Sequence, residues 1–256
     1  MPTVTIFSLE KTHWHPWPHP WPTDACGVFR YGLRAEDQPR LLALLLPDEQ
    51  HHSYRYRQPA DRHRFVAGRA WLRWLAGAMA GLPPAQIRVE AGPFGKPHLP
   101  NAQDAHGPWF ANVSHAGEWV LVALARAAVG VDLEQIDPTF DYTSLLPAIF
   151  GDTEQAQIRH SPDPRTEFYT RWTRKESLLK ATGQGLSEGL GRMLAGQGTH
   201  PLAPGLLVAP GTWSVRSFAV ETNYVAAVAQ PGHEPPMPCF FTLTNSLLPT
   251  PTTTLP

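Results

Sequence analysis

The sequence predicts an α+β fold in two halves, each pairing helix with antiparallel strand. Three patterns carry that expectation. From Asp61 onward Phe65, Leu72, Leu75 and Met79 recur on one helical face until Gly81 and Pro83 stop the run. Strand-like stretches at 109–113, 119–125 and 129–133 then follow at short intervals, as in an antiparallel meander. A second helix begins at Asp163-Pro164, a capping residue before a first-turn proline, and ends near Gly183; strands at 213–220 and 224–229 close a hairpin across Glu221-Thr222-Asn223.

Composition narrows the function classes. The chain has 256 residues, 42% of them apolar, enough for one large domain or two small ones. A formal net charge of −1 argues against a general nucleic-acid binder. Two cysteines far apart, Cys26 and Cys239, make neither a disulfide framework nor a zinc site, in keeping with a reducing cytoplasm. No stretch is long and apolar enough to span a membrane, and no signal peptide is evident.

In chain order, residues 1–24 are expected to be an extension, because Thr12 to Pro22 reads THWHPWPHPWP and its prolines deny regular hydrogen bonding. Its histidines keep open a metal-binding alternative. Residues 25–115 make the first half. Within it Asp61 is the expected helix N-cap, Arg62, Arg69 and Arg73 form a basic stripe, and 86–90 reads as a strand. Residues 116–230 make the second half. There 142–158 is helical but broken at Pro147 and Gly151-Asp152. Residues 231–256, rich in Pro and Thr, are expected to be a disordered tail.

Asp132 and Glu134 stand two apart, so a strand puts both carboxylates on one face while Val131 and Leu133 face the other way. Adjacent carboxylates repel, and an all-oxygen set suits Mg²⁺; alone, the pair equally fits an exposed strand face. Glu176 shares a helical stripe with Phe168, Trp172 and Leu179, and an inward carboxylate needs a partner or a metal. Lys180, four residues on, lies beside it. Asp132, Glu134 and Glu176 together would make a three-carboxylate magnesium site. Phosphate-binding candidates are Lys96 in the turn Gly95-Lys96-Pro97, Ser114 and His115 at a strand end, and the arginines near Asp61. Each has a plainer reading as a turn lysine, a structural histidine or a solvated face.

The ordered set Gly95-Lys96-Pro97, Asn112-Val113-Ser114-His115, Gly130-Val131-Asp132-Leu133-Glu134 and Phe168-Tyr169 with Trp172-Thr173-Arg174-Lys175-Glu176 and Lys180 resembles the Sfp-type 4′-phosphopantetheinyl transferases over roughly residues 40 to 230. The resemblance implies a pseudo-twofold monomer of two similar α+β halves, with coenzyme A and Mg²⁺ in the cleft between them. It implies Asp132, Glu134 and Glu176 as magnesium ligands and Glu176 and Lys180 as catalytic groups. It places Ser114, His115 and Lys180 on the phosphates, Lys96 on the nucleotide, and Arg64 at the 3′-phosphate. The chain departs from the family upstream of Asp61: Glu49-Gln50-His51-His52 stands where lysines are common, with Arg55 and Arg57 as substitutes. The partner implied is an acyl, polyketide or peptidyl carrier protein. Two alternatives remain: another magnesium-dependent phosphotransferase, or a non-catalytic binder of coenzyme A or carrier protein.

Overall fold

A computed structural model describes residues 2–9, 11–22, 24–185, 189–209 and 211–248. The chain starts with β1 (Thr3–Ser8), β2 (Trp14–Pro16) and β3 (Gly27–Gly32), then α1 (Gln38–Leu42), α2 (Pro47–Ser53) and α3 (Pro59–Ala80). Two short ribbons follow, β4 (Glu90–Ala91) with β5 (Pro97–His98) and β6 (Gln103–Asp104) with β7 (Gly107–Pro108). Next come β8 (Phe110–Ala116), β9 (Trp119–Ala125) and β10 (Gly130–Gln135), then α4 (Leu146–Ile149), α5 (Asp152–Arg159) and α6 (Pro164–Thr182). The last strands are β11 (Gly198–Pro201), β12 (Thr212–Glu221), β13 (Tyr224–Pro231) and β14 (Cys239–Thr242).

The strands form two five-stranded sheets, ordered β2-β14-β3-β9-β8 and β10-β13-β12-β1-β11. Period-two alternation decides what each face meets. Val120, Val122 and Leu124 of β9 pack with Trp71, Leu72 and Leu75 of α3. Their neighbours Leu121, Ala123 and Ala125 turn the other way and meet Val131, Leu133, Ala226 and Val228 of the second sheet. Ala227 and Ala229 face Leu178 and Leu179 of α6. The layers therefore run α3, first sheet, second sheet, α6, an α+β arrangement as expected.

Both long helices start on proline in the first turn and end on a left-handed glycine, Gly81 at φ 67° and Gly183 at φ 73°. Asp163 caps α6 through Thr166 N–H, as its sequence predicts. Asp61 does not cap α3. Gln58 holds that position, because Pro59 already opens the helix, and Asp61 pairs with Arg64 instead. The basic stripe is also broken. Arg73 is buried, with Nε and Nη2 on Glu49 at 2.6 and 3.1 Å and Nη1 on the carbonyls of Pro84 and Ile87.

Four further expectations are corrected. Residues 86–90 form no continuous strand; a 3-10 turn at Pro84–Gln86 precedes β4. The meander at 109–133 stops after two strands, since β10 pairs with β13 in the other sheet; alternation fixes a strand's faces but not its neighbour. The first sheet thus continues past residue 115 to Ala125. The described residues of the 1–24 extension are not a loose arm. β1 lies between β11 and β12, and Trp17 and Trp21 pack on Phe29 and Phe241. Nor is the stretch after 230 a tail as far as 248: β14 pairs with both β2 and β3, and Phe240, Phe241, Leu243 and Leu248 are buried. The apolar side chains among the prolines supply burial that outweighs the lost hydrogen bonds. Residues 249–256, which the tail expectation also covered, lie outside the described residues.

Candidate active site

Edge strands β8 and β10 come together although they do not pair. Two β8 side chains replace the missing ladder: Asn112 Oδ1 accepts from Val131 N–H at 2.9 Å, and Ser114 Oγ accepts from Leu133 N–H at 3.2 Å. Behind β10 lies α6, which comes close at Gly130. A Cβ there would sit 2.0 Å from Ser177 O and 2.3 Å from Ala181 N, so only glycine lets strand and helix meet. That contact sets Asp132 and Glu134 against Glu176 and Lys180.

Asp132 is 3% exposed. Its Oδ1 accepts from Lys180 Nζ at 2.5 Å and from Ser114 Oγ at 3.1 Å. Lys180 also donates to Ser114 Oγ at 3.2 Å. Asp132 Oδ2 is buried and has no hydrogen-bond partner, and so is Glu176 Oε1. Glu134 Oε1 accepts from Trp172 Nε1 at 3.0 Å. Burial first, then the charge of Asp132, pushes both Glu134 and Glu176 up to about 7. Burial alone would lower Lys180; Asp132, Glu176 and Glu134 overcome it and hold the ammonium above its ordinary value.

Of these residues Glu176 and Lys180 open onto a cleft of about 910 Å³, whereas Asp132 and Glu134 are not among its lining residues. Glu176, Lys180, Lys96, His115 and Arg64 line it, as do Glu49, Tyr56, Arg69 and Phe94. Ser114 is buried behind the wall, joining β10 to Lys180, and is not among the lining residues. Arg57 is exposed on the segment between α2 and α3, also outside the lining. Arg64 is held by Asp61 at 2.5 Å and Gly117 O at 3.0 Å. Lys96 Nζ donates to Ala181 O at 2.6 Å and Val129 O at 3.1 Å, and burial pushes it down to about 8. His115 lies below its ordinary pKa through desolvation, with Arg64 and Lys180 adding to it.

The structure brings Asp132, Glu134, Glu176, Lys180 and Ser114 together, but not as a finished metal site. Among the described residues no group of three or more His, Cys, Asp or Glu is arranged to hold a metal ion. Trp172 engages Glu134, and Lys180 takes one oxygen of Asp132. What remains suits a hard cation in part: two orphaned, buried carboxylate oxygens next to each other's charge. Mg²⁺ commonly takes only one or two protein carboxylates and completes its shell with water and substrate phosphate. Asp132 and Glu176 therefore fit such an ion, with Glu134 at the border.

Several residues in or beside the cleft were not singled out as site residues from sequence. Glu49 enters the sequence reading only within the segment that stands where lysines are common, yet it anchors Arg73 and lies 3.4 Å from Arg69. Trp172 reads as part of an apolar stripe, but its indole N–H is what holds Glu134. Phe94 carried one usable signal, an aromatic between Pro93 and Gly95 beside the Gly-Lys-Pro turn.

Comparison with known proteins converges on one family. Residues 128–229 match the 4′-phosphopantetheinyl transferase superfamily, and residues 35–127 match the 4′-phosphopantetheinyl transferase N-terminal region. The chain is 37% identical over 159 residues to a Synechocystis sp. relative, covering 61% of this chain and 64% of that one. It is 30% identical over 157 residues to the 4′-phosphopantetheinyl transferase Sfp of Bacillus subtilis, covering 60% and 67%. To the 4′-phosphopantetheinyl transferase HetI of Nostoc sp. it is 35% identical over 204 residues, 77% of this chain and 84% of HetI. With that much of HetI spanned and the two matches meeting at the turn before β10, this chain belongs to the 4′-phosphopantetheinyl transferase superfamily.

Proposed function

We propose that this transferase takes the phosphopantetheine arm of coenzyme A, bound in the cleft, and places it on a serine of an acyl, polyketide or peptidyl carrier protein. Two orphaned carboxylate oxygens, Asp132 Oδ2 and Glu176 Oε1, carry the reading, with Glu176 and Lys180 lining the cleft. The serine oxygen forms a bond to the β-phosphorus as the bond to the leaving 3′,5′-adenosine bisphosphate breaks. Positioning and charge neutralisation dominate such transfers. Asp132 and Glu176, with Glu134, would hold Mg²⁺, which when bound offsets charge on the diphosphate oxygens. Lys180 adds an ammonium on the same side, fixed by Asp132 and Ser114. Glu176 lines the cleft and is the candidate to take the serine proton, through the oxygen not given to the metal. His115 and Arg64 line the cleft beyond Lys180 and supply donors for the remaining phosphate oxygens. The protein would act as a monomer in the cytoplasm; among the described residues no helix is long and apolar enough to cross a membrane.

The test is intact-protein mass spectrometry of an apo carrier protein incubated with this protein, coenzyme A and Mg²⁺, with an EDTA control. A metal-dependent gain of one phosphopantetheine mass is expected. No gain on any acyl or peptidyl carrier, with coenzyme A still bound, would leave a binder in place of an enzyme.

A further inference from the structure

The turn at 92–97 belongs to the first half by sequence, yet its longest side chains rest on the second. Lys96 Nζ reaches two backbone carbonyls there, Ala181 O at 2.6 Å and Val129 O at 3.1 Å. Ala181 sits in the last turn of α6, where carbonyls lack helical partners and the helix dipole is negative. Val129 leads directly into β10, the strand of Asp132. One ammonium thus ties the end of the helix that carries Lys180 to the start of the strand that carries Asp132.

A glycine makes room for this docking. A Cβ at Gly185 would meet Phe94 Cδ1 at 2.4 Å, so the ring lies on bare backbone. Phe94 is 80% exposed and takes φ 56°, a left-handed conformation that is unfavourable for a residue with a large side chain. Core packing does not account for an exposed ring held in that way. Its contact with the segment leaving α6 does.

We propose that Lys96 and Phe94 form a clip that locks the last turn of α6, which makes Lys96 a positioning residue for Lys180 and not a ligand of the nucleotide. Lys180 immediately precedes Ala181, so slack in this turn is felt first at the ammonium that meets Asp132. The part of the proposal that concerns catalysis rests on the transferase reading; the part that concerns the clip does not.

Two measurements on the full chain separate these parts. In ligand-free hydrogen–deuterium exchange, Lys96→Met should speed exchange of the amides at 179–184 by about tenfold, the scale of losing a charged hydrogen bond. Lys96→Arg, which still offers donors to both carbonyls, should restore most of the protection. In carrier-loading kinetics Lys96→Met should lower kcat by about tenfold and leave KM for coenzyme A within about twofold, the signature of a group acting through another. Unchanged exchange at 179–184 overturns the clip. A raised KM with kcat kept makes Lys96 a nucleotide ligand and overturns the positioning role. Should Lys96→Met not fold, Phe94→Ala keeps the lysine and should still speed exchange at 179–184, and an unchanged rate there overturns the clip as well. If the unaltered protein loads no carrier, the transferase reading fails while the exchange result still decides the clip.

Discussion

Lys175 and Glu176 are neighbours in sequence, and helical geometry turns them to different sides of α6. On Lys175's side the ammonium and the carboxylate it meets are both fully partnered. Its ammonium donates to Glu154 Oε2 at 2.8 Å and to the carbonyls of Ile149 and Leu190 at 3.0 and 2.8 Å. Glu154 Oε1 in turn takes Ala195 N–H at 2.7 Å and Arg171 at 3.3 Å. On Glu176's side the carboxylates crowd each other and two oxygens are left without partners. A filled network holds a helix in place. An unfilled one, buried at a cost, is the arrangement expected where something binds.

The largest break in this contrast should come from Glu154→Ala. It leaves Lys175 buried without its carboxylate, and chemical denaturation should show a loss of about 3–5 kcal/mol. If the loss is below about 1 kcal/mol, the network is not what fixes α6. Glu176→Gln should do the opposite: carrier loading falls by about 10²–10⁴, while the midpoint of thermal unfolding stays or rises. A large drop in stability would show that Glu176 is structural.

A titration sharpens the same point. Glu134 and Glu176 are pushed up from 4.5 to about 7, so the folded protein binds more protons than the unfolded chain between those values. Their contribution is fully present below pH 4.5 and is lost as pH rises through about 7. In EDTA, unfolding temperature should therefore fall across this window, and the Glu134→Gln, Glu176→Gln double variant should flatten that part of the curve. A rise across the same window in the unaltered protein would remove the crowding argument. The smallest effect is expected from Trp172→Phe, which keeps the ring but loses the N–H on Glu134. A decrease of about tenfold in loading rate, of the size seen when groups that orient ligands are removed, is the expected result.

Much of the site could be read in the chain because strand and helix periods are local. A two-residue spacing puts Asp132 and Glu134 on one face, and a four-residue spacing puts Lys180 beside Glu176. The same locality explains the ends of α6, since Asp163, Pro164 and Gly183 act through their own backbone. It does not extend to pairing. Nothing near 130 in the sequence says that β10 joins β13 and not β9, and nothing near Ser114 says that its hydroxyl stands in for a ladder bond. Proline-rich ends mislead for a related reason. Proline removes donors locally, but burial of Trp17, Trp21, Phe240 and Phe241 is settled by surfaces far away in sequence.

By itself, the sequence determined the two long helices, the carboxylate spacing, and the family to which the ordered motifs belong. Tertiary structure alone decided which charges are used up and which are free to act. Arg73 looks like part of a solvated stripe in the chain and is spent on a buried carboxylate and carbonyls, Lys175 is likewise spent on Glu154, and Lys96 looks like a turn lysine and is spent on the end of a helix. The physical reason is that side-chain type and period depend on neighbours a few residues away, whereas desolvation and partner geometry depend on whatever the fold packs against them.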